Sequence, residues 1–252
     1  EDWGRRGDGS GGSGSGEWTA GMDRVGMEGK GEGGWRAWLL ITTLRGVAVH
    51  ADKRGDIEFR DELLGKADGY AEAVEHSAWD GEWYRRAYFD DGSPLGSRTS
   101  DECKIDSIGQ SWSLISRAGK PEQTKKAMES HNKYLIRDDA RLLMLLTPPF
   151  DKTTHDPGYI QGYLPGVREN GAQYTHAALW AVLATALQGD GNRALELYQM
   201  INPITHTDTP AAVDIYKVEP YVVAADVYTA TGHLGRGGWT WYTGSAAWMY
   251  RI

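Results

Sequence analysis

Residues able to do chemistry are interleaved with aromatics in three segments. They are EWTAGMDRVGMEGKGE from Glu17 to Glu32, HDPGYIQGYLPGVRENGAQYTH from His155 to His176, and GRGGWTWYTGSAAWMYR from Gly235 to Arg251. The last has the clearest physical reading. Thr243, Gly244 and Ser245 stand at an expected helix start, where free backbone N–H groups and hydroxyls attract anions, phosphate above all. The same residues also make an ordinary N-cap, in which Thr or Ser stops an extended segment and begins the helix. His176 reads either as a ligand or as a structural histidine, and Arg168 either as a binding cation or as a surface charge. DPGY and FDDGSPLG read as turns.

Other chemistries find no support. GKGEGG and GSGGSG both fit a G-x-G-x-x-G pattern, but neither sits in a strand–turn–helix unit, and a chain with 33 glycines produces such matches by chance. There is no Walker A sequence, no H-E-x-x-H and no G-x-S-x-G elbow. The histidines are scattered without metal-ligand spacing, so no metal and no cofactor is expected. Cys103 is the single cysteine; it excludes a disulfide framework and suits a reducing compartment.

Helices must position these loops. WRAWLLITTLRGVAVHA from Trp35 puts Trp35, Trp38, Leu39, Thr42 and Val49 on one broad face, widened by Leu40, Leu44 and Val47. From Ile57 to Trp79, Phe59, Leu63, Ala67, Tyr70 and Val74 recur at helical spacing. Further helices are predicted over IDSIGQSWSLISRAG, with Asp106 or Ser107 at its start, and over KPEQTKKAMESHNKYLI, with Pro121 in its first turn. THAALWAVLATALQG and NRALELYQMI follow, then EPYVVAADVYTATG ending at Gly232, and GSAAWMYRI. Short extended pieces lie at 82–89, 141–148 and 237–242. Helical hairpins with long rim loops can close into a toroid with a pocket at one end. No strand–helix alternation supports a doubly wound sheet or a TIM barrel. Residues 1–16 read as a flexible or aberrant Gly/Ser-rich segment, and ordered structure is expected from about residue 17.

Composition narrows the partner. The net charge of -8 argues against nucleic acid or an anionic membrane. No apolar run reaches the length of a membrane span, and the N-terminus lacks the layout of a signal peptide. With 11 Trp and 13 Tyr against 3 Phe, the aromatics are those that join a flat apolar face to a polar tip. Sugars suit such faces, although core packing uses Trp as well.

WYRRAYFDDGSPLGS, DECKIDSIGQSW, LLTPPFDKTTHDPGYIQGYLPGVRENGAQYTHAALW, INPITH, YKVEPYVVAADVY and GRGGWTWYTGSAAWMYR together resemble glycoside hydrolase family 94, formerly glycosyltransferase family 36. Within it they are most similar to the phosphorylase-like C-terminal domain of cyclic β-1,2-glucan synthases and to 1,2-β-oligoglucan phosphorylases. The resemblance runs from about Glu17 to Ile252. It implies a mainly α fold, an (α/α)6 barrel, of which 17–252 is the C-terminal part. It also implies that upstream domains of the same parent chain precede this one. The implied partners are a β-glucan oligosaccharide and inorganic phosphate as co-substrate, and a homodimer is compatible with the family. The implied location is the cytoplasm, or the cytoplasmic side of the inner membrane for a part of a cyclic glucan synthase.

The resemblance also implies roles. The family cleaves a β-glucoside with inversion, using phosphate as nucleophile and one carboxylic acid to protonate the leaving oxygen. The phosphate cradle carries over to His176, Thr243 and Gly244, with Ser245 adjacent. Trp18, Tyr163 and Arg168 match sugar-side positions, while Gln110 and Glu219 lie in family motifs with a sugar-binding or a structural role. One departure stands out. The family's acid belongs to a D-W-N-D-G-M segment, and the stretch here is EWTAGM, with Ala20 at the donor position. Alanine cannot donate a proton, and loss of a positioned acid costs about 10²–10⁴-fold. Glu17 and Asp23 flank the gap as weak substitutes. An altered N-terminal sequence, a naturally inactive glucan-binding remnant and rescue by a neighbouring carboxylate are three readings of this departure. An enzyme and a non-catalytic carbohydrate binder are therefore both expected, to be separated by phosphate-dependent turnover.

Overall fold

The computed structural model describes residues 21–252; the Gly/Ser-rich segment, Glu17, Trp18 and Ala20 lie outside the described residues. The elements run β1 (Glu32–Gly33), α1 (Gly34–Lys53), α2 (Ile57–Ser77), β2 (Ala87–Tyr88), β3 (Pro94–Leu95), β4 (Ile105–Asp106) and α3 (Ser107–Ile115). There follow α4 (Pro121–Leu135), β5 (Ile136–Arg137), β6 (Leu142–Leu143), β7 (Leu146–Thr147), β8 (Gln173–Tyr174), α5 (Thr175–Leu187) and α6 (Gly191–Ile201). The chain ends with α7 (Pro210–Tyr216), β9 (Asp226–Val227) and α8 (Thr243–Arg251).

Local sequence explains most helix starts. Asp56 caps α2 through Phe59 N, Asp106 caps α3 through Ile108 N, Asp190 caps α6 through Arg193 N, and Thr209 caps α7 through Ala212 N. Each such cap contributes about 1 kcal/mol. Pro121 opens α4, where its missing N–H costs nothing. The caps of α5 and α8 are Tyr174 and Tyr242, and neither makes a side-chain cap bond.

The helices pack as hairpins. α1, α3, α5 and α8 form a row in which each touches the next, while α2, α4 and α6 back α1, α3 and α5. This is the architecture of a partial (α/α)6 barrel, with the two-residue strands confined to the loops at its rim. Trp38 and Ile41 of α1 are fully buried and join Trp35, Tyr84, Ile108, Trp112 and Phe150 in the main core. Each large apolar side chain buried in this way contributes about 1.5–3 kcal/mol. Beneath the rim, Arg86 Nε stands 3.3 Å from Asp106 Oδ2, both side chains wholly buried, and the guanidinium lies over Trp35 at 5.6 Å.

Two predicted features are corrected. The apolar face of α1 is narrower than expected: Trp35, Ala37, Trp38, Ile41, Ala48 and Ala51 are buried, whereas Leu39, Leu40, Val47 and Val49 are exposed. The buried set follows one i, i+3 stripe, and no layer of described residues covers the other side. The helix predicted over EPYVVAADVYTATG is absent. Its backbone is taken by neighbours: β9 pairs with β8 in the register Asp226↔Tyr174, Thr175 N donates to Ala225 O at 2.9 Å, and Gly238 N donates to Asp226 O at 2.8 Å. Tertiary pairing overrides local propensity here. α7, by contrast, was not predicted, although Thr209 and Pro210 are good start signals.

Candidate functional site

The site is built on two of the helix starts that lack side-chain caps, those of α5 and α8. β8 leads directly into α5, which presents His176 in its first turn. Across the row, α8 begins at Thr243. The two starts touch through one hydrogen bond: Ser245 Oγ lies 3.0 Å from His176 Nδ1. The residues are 69 positions apart in the chain. Gly244 seats the ring from the other side, since a Cβ at Gly244 would fall 2.8 Å from both Cε1 and Nε2 of His176. Only a residue without a side chain permits that approach.

Aromatic rings hold the imidazole. Tyr174 stacks on it at 6.0 Å, Tyr242 meets it edge-on at 5.5 Å, and Trp180 meets it at 6.0 Å. The Tyr174 and Tyr242 hydroxyls are 2.8 Å apart, which ties the cap of α5 to the cap of α8. Beneath, Trp180 touches Trp112 at 5.4 Å and Trp248 at 5.9 Å, and Trp112 reaches Trp35 at 6.1 Å. This aromatic floor spans the whole helix row.

Electrostatics favour an anion. Burial holds the His176 imidazole below the ordinary histidine range, so it is neutral near pH 7. Ser245 Oγ and Nδ1 share a hydrogen bond whose direction sets the tautomer; with Ser245 as donor, the ring proton would sit on Nε2, beside Gly244. The imidazole, the hydroxyl of the exposed Thr243 and the first N–H groups of α8 thus lie together at one helix start. Such a set at a helix N-terminus suits a phosphate-sized anion. The N-cap reading of Thr243 and Ser245 is thereby corrected, because Tyr242 is the cap and Ser245 is turned to His176.

A second cluster borders this one. The loop between β7 and β8 turns back at Arg168, whose φ is +54°. Asp226 holds that turn, its Oδ2 accepting from Arg168 N at 2.8 Å. Asn170 fixes the other limb, bonding Phe150 N, Phe150 O and Tyr163 O at 2.7, 2.8 and 2.8 Å. A Cβ at Gly166 would fall 2.3 Å from Ala230 N, so the loop lies directly on the segment after β9. The Arg168 guanidinium lies over Trp239 at 4.4 Å and near Tyr163 at 6.0 Å.

The other predicted residues separate by role. Gln110 is wholly buried, its Oε1 accepting from Tyr84 N and its Nε2 donating to Tyr84 O and Asp106 O, each at 2.8 Å. Its amide is committed to the fold. Asp23 Oδ1 accepts from Tyr159 N at 2.9 Å, which docks residues 21–25 against the loop that carries Tyr163. Glu219 is half-buried after α7 and, among the described residues, shares no hydrogen bond or ion pair with the cradle.

Two carboxylates escaped the sequence reading. Glu169 is buried, and its Oε2 has no hydrogen-bond partner among the described residues. Asp226 is wholly buried. Burial raises both carboxyls, while for Asp226 the Arg168 N–H and charge oppose the rise. Their one available signal was the position of Glu169 in the same motif as His176.

The fold is that of an (α/α) toroid. Among solved structures, the chain is similar to the mannosylglycerate hydrolase of glycoside hydrolase family 63 from Thermus thermophilus in complex with glucose. The TM-score is 0.58 at 14% identity, covering 88% of this chain and 48% of that one; this likeness concerns the fold alone. Residues 7–252 match the catalytic domain of the glycosyl hydrolase 94 superfamily, and the chain belongs to that family. It is 47% identical over 236 residues to the cyclic beta-(1,2)-glucan synthase NdvB of Rhizobium meliloti (strain 1021), covering 94% of this chain and 8% of that protein. It is 31% identical over 238 residues to the solabiose phosphorylase of Paenibacillus borealis, covering 94% and 30%. An N,N'-diacetylchitobiose phosphorylase of Vibrio furnissii is 30% identical over 226 residues, covering 88% and 28%. The chain thus spans less than a third of the length of these relatives. No helix among the described residues is long and apolar enough to cross a membrane.

Proposed function

We propose that this domain binds a β-1,2-glucan and phosphate at the junction of α5 and α8, in the frame of an inverting glycoside phosphorylase. The observation that carries the reading is the His176–Ser245–Gly244 contact. It joins a neutral imidazole to an uncapped helix start, where free N–H groups and the Thr243 hydroxyl suit an anion. Inorganic phosphate is already a nucleophile, so the site needs an anion cradle and one acid, and not the carboxylate pair with which inverting hydrolases activate water.

In the forward step a phosphate oxygen forms a bond to the anomeric carbon as the glycosidic C–O bond breaks. The electron pair goes to the leaving oxygen, which must take a proton from a carboxylic acid; with Ala20 at the family's donor position, Glu17 or Asp23 would have to supply it in this chain. An α-sugar 1-phosphate and a glucan shortened by one unit result. His176, Thr243 and the α8 N–H groups hold the charge on the nucleophile. Glu169, with an unpartnered carboxylate oxygen, suits acceptance from a sugar hydroxyl, and Tyr163 and Arg168 lie on the sugar side.

A second reading rests on Ala20. Without the acid, the site binds glucan and phosphate but turns over poorly or not at all. Incubating the full-length natural protein with β-1,2-glucooligosaccharide and phosphate separates the readings. Phosphate-dependent release of glucose 1-phosphate supports the enzyme. Binding of both ligands in calorimetry without release supports the binder, and binding of neither defeats both.

A further inference from the structure

The sugar-side loop and the approach to α8 meet at Asp226. This residue lies in β9 and is wholly buried. Its Oδ2 accepts from Arg168 N at 2.8 Å and so holds the turn that carries Arg168 and Glu169. Its backbone O accepts from Gly238 N at 2.8 Å, and the neighbouring Ala225 N donates to Trp239 O. The segment that leads to Thr243 therefore runs along one edge of β9. Along the other edge, the register partner of Asp226 is Tyr174, which caps α5 and stacks on His176 at 6.0 Å. Residues directly opposite in an antiparallel pair share a face, so the carboxyl and the Tyr174 ring lie on the same side of the ladder.

This junction has little room to move. A Cβ at Gly238 would fall 2.2 Å from Asp226 Oδ1, so backbone packs directly on the carboxyl. Arg168 is held at φ +54°, a conformation that persists in arginine only where the surroundings impose it. The bond from its N–H to Asp226 is one such constraint. Beyond β9, Thr229 N and Oγ1 donate to Gly166 O and Gly171 O, each at 2.9 Å, so the same stretch of chain grips the loop on either side of Arg168.

We infer that Asp226 is a positioning residue, which by tying the Arg168 turn to β9 sets the distance between the sugar unit held by that loop and the phosphate held at α8. Being wholly buried, it acts through Arg168 and β9 and not by touching either ligand. The inference rests on the phosphorylase reading above. If the tie is cut, each half keeps its own contacts. A ligand that fills one half is then little affected, whereas a ligand that spans both halves senses the altered spacing.

The test compares inorganic phosphate, glucose and α-glucose 1-phosphate, which joins the two, by calorimetry on the full-length natural protein. Asp226→Ala should weaken α-glucose 1-phosphate about tenfold, while phosphate and glucose each stay within about twofold. Asp226→Asn, which keeps an oxygen for Arg168 N, should recover most of that loss. Should Asp226→Ala fail to fold, Gly238→Ala presses on the same carboxyl from the other side and should give the same selective loss. A merely structural residue would lower the melting temperature and leave all three affinities unchanged, or lower all three together; either result overturns the proposal. So does a loss that Asp226→Asn does not recover, since the bond to Arg168 N is then not its cause. A parent protein that binds neither phosphate nor α-glucose 1-phosphate defeats the phosphorylase reading and this proposal with it. A parent that binds all three, with the spanning ligand indifferent to the substitutions, defeats the proposal alone.

Discussion

Ser245 Oγ stands 3.0 Å from Nδ1 of His176, and this contact ties the first turn of α5 to the first turn of α8. It fixes the ring's orientation and, with Ser245 as donor, its tautomer. Ser245→Ala should therefore weaken phosphate binding by about 5- to 10-fold, the worth of one hydrogen bond. Calorimetric titration with phosphate checks this; an unchanged affinity would show that the ring needs no such partner.

Gly244→Ala should act more severely. The new Cβ would sit 2.8 Å from His176 Cε1 and Nε2, inside van der Waals contact, so either the ring or the helix start must shift. Phosphate affinity should fall more than in Ser245→Ala. Alanine suits a helix better than glycine, so the melting temperature should change little. A variant that binds phosphate as tightly as the parent would remove Gly244 from the cradle.

Ala20→Asp returns a carboxyl to the position where the family resemblance expects the acid. Glucose 1-phosphate release should rise by at least about 100-fold, the lower end of what a positioned acid supplies. An unchanged rate, with glucan and phosphate still bound, would show that the missing acid is not what limits turnover.

Acid should destabilise the fold through two buried histidines. His131 is wholly buried with Nε2 2.9 Å from Ser107 Oγ, and burial holds it at about 4. His206 stacks on Tyr216 at 5.0 Å, and burial, then the Arg141 charge, hold it at about 4. Histidine in the unfolded chain titrates near 6.5, so between these values the unfolded state binds more protons. Stability is then complete above about pH 6.5 and falls as pH drops towards 4, by about 2–3 kcal/mol per histidine. Urea unfolding at pH 7 and pH 4.5 reads this. His131→Gln should remove part of the drop, and an equal drop in the variant would count against His131.

Helix positions were largely legible because their signals are local. Asp106 and Pro121 start helices where sequence placed them. The failure at Glu219–Gly232 has the opposite cause: Ala224, Ala225 and Val227 look helical in isolation but are buried as extended chain by pairing with Gln173 and Tyr174. The candidate site was legible only through the family motifs that contain it. By type alone His176 and the Thr243–Gly244 pair stay ambiguous, and only the family motifs that contain them give them a role, whereas Glu169 and Asp226 look like ordinary polar loop residues. Burial alone sets them apart, and burial is a property of the assembled loops. Gln110 shows the converse, since its place in a motif reflects a bond to the Tyr84 backbone.

The row of indoles from Trp35 through Trp112 and Trp180 to Trp248 divides the domain by how freely it can change. A floor packed ring on ring across four helices tolerates little substitution, and the nucleophile's seat rests directly on it. The rim loops bear no such load and can vary in length and sequence. On the proposed reading, change is channelled: loops can be rewritten for new sugars while the anion seat stays with the floor. The relatives named as phosphorylases of solabiose and of N,N'-diacetylchitobiose are the kind of divergence that such a partition permits.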